Sequence, residues 1–172
     1  MTTTELADEL AGGVLSAGPM RLTAAGKAGI PQVVSLGALD MVNFGAPASI
    51  PSKYREGDRL FHIHNSSVTV MRTNQEECQK LGAEIAQKLR GAKNASNTTA
   101  VVIPQRGWSG IDVKGQVFYD EAADEALVAS LRAGLGNSGI TVVEVDGSIN
   151  DEAVSRKMVE LLHQLLQRDR LE

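Results

Sequence analysis

Two histidines, His62 and His64, alternate along Arg59-Leu60-Phe61-His62-Ile63-His64, a stretch with the composition of a strand. On a strand both rings project from one face, roughly 6–7 Å apart at Cα. That spacing can supply two imidazole ligands to one metal, with Asp40 or Glu76 as the third. It can equally let both rings hydrogen-bond within a loop or meet an anionic group. The site without a metal is preferred, and His62, His64 and Asp40 are the candidates for acid–base work.

Asp40 and Asn43 lie just beyond the apolar strand Gln32-Val33-Val34-Ser35-Leu36, with Gly37 at its exit. An Asp there can act as a base or hold a hydroxyl, and an Asn can read an amide or orient a water; both types also serve turns. Arg72 immediately precedes a helix start, where free amides and the helix dipole favour an anion and a guanidinium adds a bidentate fork. A surface ion pair is the plainer alternative. Asn65 follows the histidines, and Arg106, Ser109 and Asp112 in a second long loop are weaker candidates. Together these residues point to an anionic ligand that also carries hydroxyl or carbonyl groups.

The elements that must position them alternate between helices and short apolar strands. Thr3 or Thr4 caps a short helix ending at Gly12-Gly13, and Met20 to Gly29 reads as a second helix. Val33–Leu36, Ala100–Ile103 and Ile140–Val145 read as buried strands. Thr73-Asn74-Gln75-Glu76 reads as a capping box opening a helix with Leu81, Ile85 and Leu89 inward. Asp120 caps a helix with Ala123, Leu127 and Leu131 inward, and the last helix carries Val154, Met158, Leu161, Leu162 and Leu165. This order predicts an α/β three-layer sandwich with a mostly parallel sheet, Rossmann-like or flavodoxin-like, over residues 1–172 as one domain.

Leu36 to Leu60 shows no period, and a run of roughly twenty residues is too long for a mere connection. Its Leu39, Met41, Val42, Phe44, Ile50 and Tyr54 are too apolar for a solvated linker. It reads as an ordered, site-forming loop. Gln105 to Asp120 is a second such loop, holding the only Trp. Both leave the carboxyl end of a strand, so both should lie on the edge where such sheets bind ligands.

Composition excludes several classes. A net charge of −4 gives no basic field for nucleic acid. No apolar run approaches the roughly eighteen residues of a membrane helix, and the acidic N-terminus is no signal peptide. The single Cys78 forbids an internal disulfide and fits a reducing, cytoplasmic setting. Gly134 to Gly139 spells G-x-G-x-x-G, but it closes a helix and precedes a strand, the reverse of the dinucleotide motif. Leu171-Glu172 at the end has the look of a cloning remnant.

The runs TTTELADELAGGVLSAGP, VVSLGALDMVNFGAP with IPSKY, and HIHNSSVTVMRTNQEE resemble the uncharacterised family named after the tomato mosaic virus resistance protein, a resistance-protein-like ATP-binding domain family. The resemblance covers most of the chain and is densest from Thr2 to Glu77. Members carry two α/β domains, and this chain is similar to the second. The resemblance implies a first domain absent from this chain and nucleotide binding, with ATP as the cofactor, in full-length members; it places the nucleotide on no particular residue of this half. Three functions stay open. One is a module binding an anionic (phosphorylated, nucleotide or carboxylated) small molecule. Another is an enzyme on small acidic metabolites through Asp40, His62 or His64. The third is an assembly domain, a homo-oligomer joined through Met41 and the terminal helix.

Overall fold

The computed structural model describes residues 3–169; the terminal Leu171-Glu172 lies outside them. Strands β1 (Gln32–Ser35), β5 (Thr99–Pro104) and β6 (Thr141–Val145) form one parallel sheet in the order β1-β5-β6. Val33 pairs with Ala100, and Val101 with Val142. The first two strands are buried along their whole length, as strands covered on both faces must be. One face packs Val34, Val101 and Ile103 against helices α4 (Gln75–Arg90) and α6 (Glu121–Leu135). The other packs Val33, Ala100 and Val102 against Val154, Leu161 and Leu165 of helix α7 (Glu152–Asp169). This is the three-layer α/β sandwich expected, and all three strand assignments hold.

Three local expectations need correction. The capping box sits one residue later. The Asn74 side chain accepts from the Glu77 amide at 2.9 Å, and Glu77 accepts from the Asn74 amide at 2.9 Å. Thr73 is unavailable because its hydroxyl donates to Leu39 O at 2.8 Å and accepts from Arg72 at 3.0 Å. The second helix is only Ala24–Ala28 (α2), since Leu22 takes a φ of 72°. On α7, Leu162 faces outward with Val159 and Leu166 instead of joining the buried stripe. The first helix, α1 (Thr4–Ala11), runs as expected to a left-handed Gly12; the side chain of Thr3 caps nothing and bonds Ser35 O at 3.2 Å.

The long run after β1 is not without regular structure. It holds strand β2 (Met41–Phe44), a 3-10 turn at Pro47–Ser49 and a short helix α3 (Ser52–Arg55). Strand β2 joins β3 (Phe61–Asn65) and β4 (Val68–Arg72) in a separate antiparallel sheet of order β2-β4-β3, with Met41 opposite Arg72. Between α4 and β5 the polar stretch forms a short helix α5 (Ala95–Thr98).

Helices α4 and α6 meet at unusually close range. A Cβ on Gly82 would stand 2.4 Å from Leu127 O and 2.8 Å from Leu131 N. Both neighbours are helix backbone, so relief requires the helices to separate. Overpacking of this kind costs about 1–3 kcal/mol or more, against roughly 1 kcal/mol gained from helix propensity. Gly82→Ala is therefore expected to lower the thermal unfolding midpoint; a midpoint at or above that of the parent would show that the helices can part freely.

Candidate functional site

The exits of β1 and β5 lie together, as their topology requires. Ala38 N donates to Trp108 O at 2.7 Å, and Ser109 Oγ donates to Asp40 Oδ2 at 2.7 Å. The exit of β6 joins them: Arg106 N donates to Gly147 O at 3.1 Å, and Ile149 N to Gly107 O at 3.0 Å. Gly107 has a φ of 117°, and a Cβ there would meet Asp112 O at 3.0 Å, so the tight first turn of the second loop needs glycine.

Beneath this edge lies a buried charge cluster centred on Arg72. Position 72 ends β4, paired beside β2, and the side chain runs inward with only 5 % of its surface exposed. Its Nη2 reaches Asp124 Oδ1 at 2.6 Å and Asp112 Oδ1 at 3.3 Å. Its Nε donates to Phe118 O at 2.7 Å, and its other donors meet the backbone oxygens of Asp40 at 3.4 Å and Asp120 at 3.3 Å. One guanidinium thus ties β4, the β1 exit, the second loop and α6. The Arg72 fork is spent on internal partners, for the simple reason that a buried guanidinium must be matched by acceptors within the fold.

Three carboxyls surround that single cation. Burial, then the charges of Asp124 and Asp40, push Asp112 up to about 8 against the pull of the Trp108 amide and Arg72. Burial also raises Asp124, to about 6, with Arg72 opposing. Burial raises Asp40 as well, although the Ser109 hydroxyl favours its ionised form. Asp40 Oδ1 is buried with no hydrogen-bond partner among the described residues, a position suited to a protonated acid. Carboxyls that titrate near neutrality can give or take a proton, and Asp124 lines an open cleft of about 590 Å³ with Trp108, Tyr119 and Glu125.

A second cleft of about 520 Å³ adjoins it, lined by Gln105, Arg106, Lys114, Tyr119, Ser148 and Asp151. Gln105 and Tyr119 are walls of both. The Arg106 guanidinium is exposed and paired with Asp146 at 2.5 Å, while Lys114 has no ion pair among the described residues.

The remaining sequence candidates separate. Gly37 is buried at the β1 exit. Asn43 faces α1, bonding Asp8 Oδ1 at 3.2 Å and Thr4 Oγ1 at 3.3 Å. His62 is half-buried with its ring edge-on to Phe118 at 6.3 Å between centroids, whereas His64 and Asn65 are exposed near the hairpin turn. Among the described residues, no three His, Cys, Asp or Glu side chains are grouped to hold a metal ion. Cys78 is a buried thiol that burial pushes up to about 11, close to Thr73. The sequence reading missed Asp124. A signal existed: Asp124 stands three and seven residues before Leu127 and Leu131, at the spacing of the buried face of α6.

Residues 1–166 match the C-terminal domain of the uncharacterised protein family UPF0261. The chain belongs to this family. A UPF0261 protein of Clostridium tetani is 45% identical over 166 residues, covering 94% of this chain and 40% of that protein. A UPF0261 protein of Mesorhizobium japonicum is 38% identical over 163 residues, with 94% and 40% covered. The ToMV resistance protein Tm-1(GCR237) of Solanum lycopersicum is 39% identical over 161 residues, covering 93% of this chain and 21% of that protein. The chain thus spans 40% of the length of these two bacterial UPF0261 relatives and corresponds to their C-terminal domain. Among the described residues, no helix is long and apolar enough to cross a membrane.

Proposed function

We propose that this UPF0261 domain binds an anionic small molecule at the carboxyl edge of its parallel sheet, in the cleft between the loops that follow β5 and β6. The observation that carries the reading is the presence of two exposed cations, Arg106 and Lys114, in the lining of one cleft that Ser148 also lines. Ligands of open parallel sheets bind outside the carboxyl ends of the strands, and this cleft lies there. Lys114 is free to meet an anion, and Arg106 can exchange its exposed partner Asp146 for a phosphate or carboxylate.

Isothermal calorimetry with inorganic pyrophosphate and with ATP tests it. Arg106→Ala and Lys114→Ala should each weaken binding by about 1.5–3 kcal/mol, roughly ten- to a hundredfold, as for hydrogen bonds to charged groups. Both side chains are solvent-exposed, so stability should stay within about 0.5 kcal/mol of the parent. Affinity unaltered in both variants would remove the cleft from consideration.

A further inference from the structure

The Gln105–Asp120 loop walls both clefts, yet its attachment to the helical layer depends on Arg72 and the carboxyls around it. Phe118 O and Asp120 O accept from Arg72 at 2.7 Å and 3.3 Å, and Asp112 Oδ2 accepts from Trp108 N at 2.8 Å. If Asp40, Asp112 and Asp124 were all ionised around one guanidinium, the buried cluster would carry a surplus of two negative charges. Such a surplus is strongly unfavourable around Asp40 and Asp112, which are fully buried, and is eased only at Asp124, which borders the open cleft. The fully buried Asp40 Oδ1, with no partner among the described residues, adds to that cost.

We propose that the cluster is a proton-operated latch: while Asp112 holds a proton the loop is fastened to α6 and β4, and loss of that proton releases the loop. The inference deepens the anion-binding reading, because the same loop carries Arg106 and Lys114, but it rests on that reading only for its effect on a ligand. Other charged groups face the cluster from every side. Asp120 lies on the loop and caps α6 through Ala123 N at 3.1 Å. The Cys78 thiol lies on α4, and Glu77 beside it is held by Arg59 at 2.6 Å. Tyr119 senses Asp112 and Asp124 from the loop. None of these adds a second cation beside the carboxyls. The ionisation range of Asp112, up to about 8, places release on the alkaline side of neutrality.

The protein contains one tryptophan, Trp108, which lies in this loop and is 2% exposed, so its emission reports the latch directly. Between pH 6 and pH 9, Trp108 emission should shift to the red. Amide-exchange protection at Trp108 and Phe118, corrected for intrinsic rates, should fall at least about tenfold, while Leu81 and Ile85 in α4 keep theirs. Asp112→Asn should abolish the transition. Ser109→Ala, which strips Asp40 of its hydroxyl donor, should move the midpoint to higher pH. Emission constant from pH 6 to pH 9, or loss of protection in loop and α4 together, would overturn the proposal. The loop transition without pyrophosphate binding at either pH would uphold the latch and remove the anion-binding reading.

Discussion

Arg72→Ala is expected to be among the most damaging single substitutions in this domain, destabilising it by about 3–5 kcal/mol, because it leaves buried carboxyls without their cation. The loss reaches further than one ion pair. The same side chain satisfies the carbonyls of Phe118 and Asp120 and touches that of Asp40, so three backbone acceptors lose a donor as well. Arg72→Lys should recover only part of the loss, since an ammonium lacks the planar fork that reaches Asp112 and Asp124 together. Asp112→Asn placed in the Arg72→Ala background should restore some stability at alkaline pH, where Asp112 would otherwise be an orphaned charge, a coupling measurable by chemical denaturation of the double-mutant cycle. Strict additivity, or an Arg72→Ala protein as stable as its parent, would show that the guanidinium does not hold the edge together.

The second large effect is on the pH dependence of stability. Asp112 and Asp124 titrate higher in the folded chain than the ordinary carboxyl value of 3.8, at about 8 and about 6. Each group therefore binds its proton more tightly when folded. The stabilisation it contributes is complete below about pH 4 and is lost as pH rises through the folded value. That is opposite in sign to a carboxylate stabilised as its anion. From these two groups stability should decline from about pH 4, most steeply up to about pH 6 where both contribute, then through Asp112 alone, and flatten above about pH 8. Every pH unit separating the folded from the unfolded titration is worth about 1.4 kcal/mol. The decline is thus on the order of several kcal/mol, limited by the cost of opening the loop and letting water reach Asp112. Thermal unfolding midpoints between pH 5 and pH 9 measure it. Asp112→Asn should flatten the upper half of the curve. A midpoint that rises steadily across this range would mean the carboxyls are stabilised as anions.

Much of the scaffold was legible in the sequence. The parallel strands announced themselves as β-branched runs between breakers, and α4 and α6 by leucines and isoleucine at helical spacing. Strand β2 was not legible. Its four residues, Met41 to Phe44, are too few to show a period, and its partner β4 lies far along the chain. The caps show how tertiary contacts decide between equivalent local solutions. Thr73 and Asn74 are both good N-caps, and the choice fell to Asn74 because Leu39 and Arg72 claim the Thr73 hydroxyl. The site was half legible. Strand exits brought Asp40 and Ser109 together as topology predicts, and Arg72 joined them. Its role was misjudged because a sequence does not say whether an arginine before a helix points to solvent or into the fold. Asp124 was not singled out, although its register on α6 marked it as inward-facing.

The most direct test of the central claim, that the loops after β5 and β6 form an anion site, is a nuclear magnetic resonance titration of the intact protein with inorganic pyrophosphate below neutral pH. Saturable amide shifts are expected at Arg106, Gly107, Lys114 and Ser148, with the β3–β4 hairpin around His64 and Asn65 undisturbed. Shifts centred on His64 and Asn65, or none at the carboxyl edge at saturating pyrophosphate, would contradict the claim.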